Sequence, residues 1–269
     1  MNCSPVPGKD YKVTYSNNKK AGTGKYTITF LGNYKGAPNK SFKNLEFKIN
    51  KANSSDAKIY VADMIKGSNE KSKQYFAKPD TNMFVAVDEG KMQIKKSDYT
   101  VAFSQGDKAL TGKGTETIEF TEGVAELTVT VTPKGTNFEG DPITETYKVI
   151  DAGSNVAVNK ATSKLVAKDG TKVTKVTKPG YTGAVITFEQ SDDNRQGDIV
   201  INGGKIGGAK ANLTAAEVAE YFDVTYVNNV QKGKAYYILT AKDGNDKNYV
   251  GSIVGNFTIK AGDIKKSAE

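Results

Sequence analysis

Short runs of alternating apolar and polar residues dominate the chain. Tyr11, Val13 and Tyr15 alternate with polar residues, and the same spacing recurs over residues 26–30 and 127–131. Period-two alternation of Tyr, Val, Ile and Thr is typical of strands with one buried face. Clusters of Asn, Gly and Pro separate these runs and predict tight turns. The pattern therefore predicts an all-β protein, either a sandwich or a barrel.

One segment departs from this pattern. Residues 213–221, Leu213 to Tyr221, predict a short helix, because Thr214 and Glu217 have the spacing of a capping box. A helix of about two turns acts as a connector between strands and does not build a scaffold by itself.

The sequence contains three copies of one pattern. Residues 11–18 (YKVTYSNN) match residues 222–229 (FDVTYVNN), and Asn33-Tyr34-x-Gly36 matches Asn248-Tyr249-x-Gly251. A more divergent copy lies between them, with residues 99–103 (YTVAF) and residues 137–140 (NFEG) at the corresponding places. The Asn pair suits a turn, since Asn tolerates a left-handed backbone. Three copies in the same order argue against chance.

The copies divide the chain into three units, which we call unit one (1–50), unit two (51–153) and unit three (154–269). Polar stretches at residues 51–56, 151–155 and 260–263 read as linkers. Units two and three have the size of a complete sandwich, with the short helix in unit three. Unit one carries only the C-terminal half of the pattern. We expect it to expose a core face that pairs with another chain, with unit two or with upstream residues.

Three absences limit the chemistry. The chain contains no His and no Trp, and Cys3 is its only cysteine. These absences exclude Ser-His-Asp and Cys-His nucleophile pairs, His-based metal sites, internal disulfides and Cys-ligated clusters. Carboxylate chemistry and a calcium site remain open. Glu119 is the candidate for a carboxylate in an apolar context, as a general acid needs, since it lies between Ile118 and Phe120, but it alternates outward if these two residues face the core. We therefore expect no enzymatic activity and no cofactor.

The charge is basic but unusual. There are 38 Lys and Arg residues against 30 Asp and Glu, and Arg195 is the only arginine. Lys lacks the planar fork with which Arg reads guanine edges and phosphates, so we expect no nucleic-acid partner. No run of about 18 apolar residues is present, so we expect no membrane insertion. The first ten residues lack the apolar stretch of a secretory signal, and both ends read as cut from something longer, without signal or anchor.

Two acidic clusters are candidate calcium sites. Asp192, Asn194 and Asp198 present hard oxygen ligands with the spacing of the start of an EF-hand loop. Gly203 stands where the final Glu of such a loop belongs, and Arg195 opposes a cation, so a polar hairpin tip is favoured and no metal is expected. Residues 243–246 (DGND) read in the same way as a longer turn.

Tyrosines are the candidate ligand-binding residues. Exposed aromatic faces stack on sugars, and Tyr adds a hydroxyl. Tyr34 and Tyr249 lie next to predicted turns. In the consecutive pair Tyr236-Tyr237, alternation predicts that one ring faces out.

The run from Asp10 to Lys43 resembles tandem immunoglobulin-like repeats of large Gram-positive surface proteins. The matching positions are Tyr11, Val13, Tyr15, Asn17, Asn18, Ala21, Gly22, Thr23, Gly32, Asn33, Tyr34, Gly36 and Phe42. The match is good in unit one, fair in unit three and partial in unit two. Together the matching segments cover about half of the chain.

This resemblance implies tandem immunoglobulin-like β-sandwich domains, the first incomplete, in an extracellular protein at the cell wall or cell surface. The implied role is a stalk or spacer with cell adhesion, whose partners are neighbouring repeats of the same protein. The alternative is a module that binds a cell-wall or host glycan or the host matrix. Such sandwiches also form Lys–Asn or Lys–Asp cross-links in some cases, although no spacing singles out a pair here.

Overall fold

A computed structural model describes residues 5–36, 41–160, 163–166, 198–206, 209–213 and 215–259, with side chains described outside residues 159–215. Strands dominate these residues and form several sheets, which confirms the all-β prediction. The described residues include one helix, α1 (Ala215–Tyr221), where a helix was predicted. Thr214, its predicted capping residue, lies outside the described residues.

Unit one forms one antiparallel sheet with the order β1-β2-β3. Its strands are β1 (Tyr11–Ser16), β2 (Gly22–Phe30) and β3 (Ser41–Ile49). A 3-10 turn, Gly32–Tyr34, follows β2. The sheet joins unit two through the chain and through the Ala21 amide, which donates to Asn137 Oδ1 at 3.0 Å.

Unit two consists of two larger sheets packed face to face and a small sheet of two strands. Its strands are β4 (Ala52–Asn53), β5 (Ala57–Val61), β6 (Met64–Ile65), β7 (Met83–Val87), β8 (Met92–Gln93), β9 (Tyr99–Gln105), β10 (Lys108–Leu110), β11 (Val124–Pro133), β12 (Phe138–Glu139) and β13 (Ile143–Ile150). The larger sheet has the order β10-β9-β11-β13-β6, the smaller has the order β5-β7-β8, and β4 pairs with β12 in parallel. Apolar side chains of both sheets, such as Val85 and Leu127, share one buried core.

Unit three also contains two described sheets. Its strands are β14 (Val156–Lys160), β15 (Ser163–Val166), β16 (Asp198–Ile206), β17 (Ala209–Leu213), β18 (Phe222–Val227), β19 (Gly233–Ala241), β20 (Tyr249–Val250) and β21 (Ser252–Ile259). One sheet has the order β18-β19-β21. The other has the order β15-β16-β14-β20, with β17 paired to β16. Val158 of β14 and Val218 of α1 pack in one core with Tyr237 and Leu239 of β19.

The stretch predicted as the first linker belongs instead to the folded part of unit two. Residues 52–53 are the paired strand β4, and Ser54–Asp56 form a 3-10 turn. The side chain of Asn53 accepts a hydrogen bond from the Ser55 amide at 2.9 Å and caps this turn. Ser54 is buried. Polar composition indicated a linker here because Asn, Ser and Asp serve caps and turns as readily as solvated loops.

The smaller sheet of unit two is buried on both faces. All five residues of β7 are buried, although successive strand side chains point to opposite faces. On one face, Met83, Val85 and Val87 enter the core of unit two. On the other face, Phe84 and Ala86 pack against Tyr236 and Ile238 of unit three. Units two and three therefore lie against each other through the broad faces of two sheets.

Candidate functional site: an aromatic face on unit one

One face of the unit one sheet is lined by apolar and aromatic side chains. The register of the sheet pairs Val13 with Ile28, Tyr15 with Tyr26, and Tyr26 with Leu45, which places these residues on the same face. We call this surface the aromatic face; it consists of Val13, Tyr15, Tyr26, Ile28, Phe30, Phe42, Leu45 and Phe47.

The rings on this face contact each other at ordinary aromatic distances. The ring centroids of Tyr15, Tyr26 and Phe47 lie 6.1 to 6.3 Å apart, and Tyr15 meets Phe47 edge-on at 90°. The Phe30 and Phe42 rings form a second pair at 5.7 Å. Phe47 lies over Gly24, whose missing side chain makes room for the ring, since a Cβ there would come within 2.5 Å of it. The sheet therefore holds a preformed cluster of aromatic rings.

The cluster is open to solvent. Tyr15 is 60% exposed and Phe42 is 45% exposed. The hydrophobic side chains that are buried in the described part of the chain begin at Ile59, so none lies in unit one. A large exposed apolar surface on a folded domain marks an interaction site.

Unit three contains the same hairpin with its corresponding face covered. The pairing of Tyr11 with Phe30 through Ser16 with Lys25 recurs, residue for residue, from Phe222 with Ala241 through Val227 with Tyr236. The turn geometry recurs too: Asn17 and Asn228 have φ values of 54° and 58°. The position of Tyr26 is occupied in unit three by Tyr237, which is fully buried beneath β14 and α1.

The opposite face of the unit one sheet is polar. Lys25 pairs across the strands with Glu46 at 3.3 Å, and Thr27 and Thr29 alternate with the apolar residues of β2. The corresponding face of unit three carries Tyr236 and Ile238, which pack on unit two. Unit one therefore has a single apolar face.

The three tyrosines predicted to bind ligand lie in different surroundings. Tyr34 is 36% exposed at the end of the 3-10 turn that follows β2. Tyr249 is half-buried and its ring stacks on Phe222 at 5.7 Å. Tyr236 is only 9% exposed because it packs on Phe84, and Tyr237 is buried. The expectation that one ring of this pair faces out is wrong, because both faces of β19 are covered. Tyr237 packs in the core of unit three, and Tyr236 packs on the smaller sheet of unit two.

The calcium candidates Asp192 and Asn194 lie outside the described residues, and of Asp198 only the backbone is described, as the first residue of β16. Within the described part, no three acidic or cysteine side chains come together as a metal site would require. Asn245 closes the 243–246 turn: its Nδ2 donates to the carbonyls of Lys242 and Tyr249, and its Oδ1 accepts from the Tyr249 amide. Glu119 is exposed between buried Ile118 and half-buried Phe120, as alternation predicted.

Two polar pockets lie on the other units. An open pocket of about 460 Å³ is lined by residues 66–71, Thr117 and Asp151. Its cation is neutralised: Lys66 Nζ lies 3.0 Å from Asp151 and 3.2 Å from Glu70, and hydrogen bonds to both carboxylates raise the pKa of Lys66. A pocket of about 220 Å³ at the contact of units two and three contains Asp63. The aromatic face differs more from an ordinary protein surface than these pockets do, because it exposes apolar side chains.

No known family model, no curated protein and no solved structure matches the chain. Among the described residues, no helix has the length and apolar character needed to cross a membrane.

Proposed function

We propose that the chain is a stalk or spacer region of a large bacterial surface protein, built from tandem immunoglobulin-like units and contributing to adhesion. The supporting observation is the burial of β7 between the core of unit two and the sheet of unit three. A spacer transmits position only if its modules cannot rotate freely. A broad apolar contact limits such rotation, whereas a flexible linker permits it.

Hydrogen bonds across the same contact support this role. The Asn228 amide donates to the Gly90 carbonyl at 2.7 Å, and the Asp63 amide donates to Ser252 Oγ at 3.1 Å. These directional bonds add orientation to the apolar contact. Units two and three therefore act as one mechanical element.

Surface location is tested by antibody labelling. An antibody raised against the purified chain is applied to intact cells that make the protein and to permeabilised cells. We expect labelling of intact cells. Labelling that requires permeabilisation contradicts the proposal.

The mechanical role is tested by pulling the full chain between handles. We expect units two and three to unfold in one coupled event, and Ile238→Asp to separate it into two events, since a charge in the apolar contact is unfavourable. Two independent events in the unchanged chain contradict a single mechanical element.

A second candidate, glycan or matrix binding, is favoured by the exposed rings of Tyr15, Tyr34 and Phe42 on unit one. A glycan and matrix array at physiological and raised salt tests it. Binding that survives raised salt and falls with Tyr34→Ala supports this function, while Tyr249→Ala tests the half-buried tyrosine at the corresponding turn of unit three. Binding that is lost at raised salt comes only from charge attraction to the Lys-rich surface.

A further inference from the structure

Units two and three show what covers a face of this kind. In unit two, a continuous segment from Ala52 to Ile65 does so: β4 pairs with β12, Ile59 of β5 enters the core, and β6 pairs with β13. In unit three, β14 pairs with β20 and contributes Val158 to the core. Each covering segment combines a parallel edge pairing with an inward aliphatic residue.

The edge pairing uses the same backbone bond in both units. The Ala52 amide donates to the Asn137 carbonyl at 2.9 Å, and the Val156 amide donates to the Asn248 carbonyl at 2.8 Å. The repeat places Asn33 at this position in unit one. The sheet of unit one contains β1, β2 and β3 alone, and within the described residues no strand pairs with Asn33.

The glycine that ends each Asn-aromatic-x-Gly motif also distinguishes the covered units from unit one. A Cβ on Gly140 would lie 2.2 Å from Ser54 Oγ, and one on Gly251 would lie 3.0 Å from the Val158 carbonyl oxygen. Both glycines therefore touch the covering segment. A Cβ on Gly36 meets none of the described atoms within 4 Å. Among the described residues, none fills the space beside Gly36 that the covering segment fills in the other units.

We propose that the aromatic face, together with the edge at residues 33–36, binds an extended polypeptide segment with the chemistry of residues 52–65. The segment adds a parallel strand at Asn33 and turns an aliphatic side chain toward the rings of Tyr26 and Phe47. Main-chain hydrogen bonds supply affinity in this mode, and alternate side chains supply specificity. This binding does not depend on whether the whole protein is a surface spacer.

Charge favours such a segment over a second copy of the chain. Residues 1–50 contain nine Lys and two acidic residues, so two copies packed face to face bring like charges together. Residues 52–65 contain Asp56, Asp63 and one Lys, Lys58, and are net acidic. The basic unit attracts an acidic segment and repels its own copy.

The test uses a fluorescent synthetic peptide with the sequence of residues 52–65, titrated with the full chain and followed by anisotropy. We expect saturable binding. A peptide with Ile59→Asp should bind at least about tenfold more weakly, because it places a charge against the rings. Hydrogen exchange should show new protection in β2 and at residues 33–36.

Variants locate the site. Tyr15→Lys and Gly36→Val should each weaken peptide binding at least about tenfold, because one puts a charge on the face and the other fills the open edge. Both positions are exposed, so the fold should persist, and circular dichroism checks this. Thr27→Lys on the polar face is the matched control and should bind like the unchanged chain.

Three results overturn the proposal. The first is absence of binding by the 52–65 peptide, and the second is binding that Tyr15→Lys and Gly36→Val leave unchanged. The third is a concentration-dependent dimer that Tyr15→Lys abolishes, which would assign the face to a second copy. Light scattering coupled to size exclusion detects that dimer.

Discussion

The rings of Phe84 and Tyr236 lie 4.3 Å apart, between sheets that belong to different units. Phe84 is fully buried, and Tyr236 is 9% exposed. The two residues occupy the outward positions of β7 and β19, and the inward neighbours of each fill the core of its own unit. This pair therefore links the folding of units two and three.

A double-mutant cycle measures that link. Phe84→Ala and Tyr236→Ala should each lower the free energy of unfolding by about 3 kcal/mol, the usual cost of truncating a buried aromatic residue. The double variant should lose less than the sum by about 1 kcal/mol, which is the energy of the aromatic pair. Denaturant unfolding of the full chain provides the values.

The matched control for this cycle is Tyr15→Ala on the exposed aromatic face. It removes a ring of the same size from a solvent-exposed position, so it should cost about 0.5 kcal/mol or less. Strictly additive losses for Phe84 and Tyr236 would show that the two units fold independently.

Much of the fold follows from the sequence. Period-two alternation located β1, β2 and β11, and the capping spacing located α1. The Asn pair indicated the left-handed turn residues Asn17 and Asn228. These features are local, so a single stretch of chain determines them.

Alternation does not predict the contact between units two and three, although the sequence carries a signal for it. Residues 83–87 (MFVAV) and 235–239 (AYYIL) are continuous apolar runs without alternation. Such runs indicate strands that are buried on both faces. Alternation identifies one buried face only, so it predicts one exposed ring in the pair Tyr236-Tyr237, where the structure buries both. In unit one the sequence did predict an exposed core face, because residues 1–50 carry only the C-terminal half of the repeat pattern.

Two buried tyrosines of unit two should respond oppositely to loss of their hydroxyl groups. Tyr147 Oη donates to the Tyr75 carbonyl at 2.6 Å, so Tyr147→Phe should cost about 1 kcal/mol. Tyr99 Oη is buried and has no hydrogen-bond partner among the described residues, so Tyr99→Phe should leave stability unchanged or raise it. Thermal unfolding of the two variants distinguishes these outcomes, and equal losses would contradict the assigned bonding.

The glycines of the repeat predict a graded series of alanine variants. Gly140 has φ of +110° and Gly251 has φ of +94°, and both lie against covering segments. Gly140→Ala and Gly251→Ala should each cost about 2 kcal/mol or more, from strain and steric overlap. Gly36→Ala, in open space, should change stability by less than about 0.5 kcal/mol. Unfolding midpoints in denaturant give the series, and a cost at Gly36 equal to the others would contradict the open edge.

Glu116 predicts a loss of stability in acid. Hydrogen bonds from Thr111 and Ser72 lower the pKa of Glu116 to about 2 from its ordinary value of 4.5. A carboxyl with a lowered pKa stabilises the fold above its unfolded value and loses this contribution as pH falls toward its folded value. The unchanged chain should therefore be more stable than Glu116→Gln at pH 7, with the difference shrinking between pH 4.5 and 2. Thermal unfolding across this range checks it, and a difference that does not vary with pH would contradict the bonding.

The charge of Asp63 should lower the stability of the fold at neutral pH, in contrast to that of Glu116. Burial at the contact of units two and three raises the pKa of Asp63 above its ordinary value of 3.8, although the Lys148 amide donates to its Oδ1 at 2.7 Å. A carboxyl with a raised pKa contributes stability below its unfolded value and loses it as pH rises through the folded value. Asp63→Asn retains an oxygen acceptor for Lys148 and removes the buried charge. The variant should therefore melt at a higher temperature than the unchanged chain at pH 7, and at the same temperature near pH 3. Asp107→Asn, on an exposed hairpin, is the control, and its melting temperature should match that of the unchanged chain at both pH values. If Asp63→Asn is less stable than the unchanged chain at pH 7, the inferred cost of burying this carboxylate is wrong.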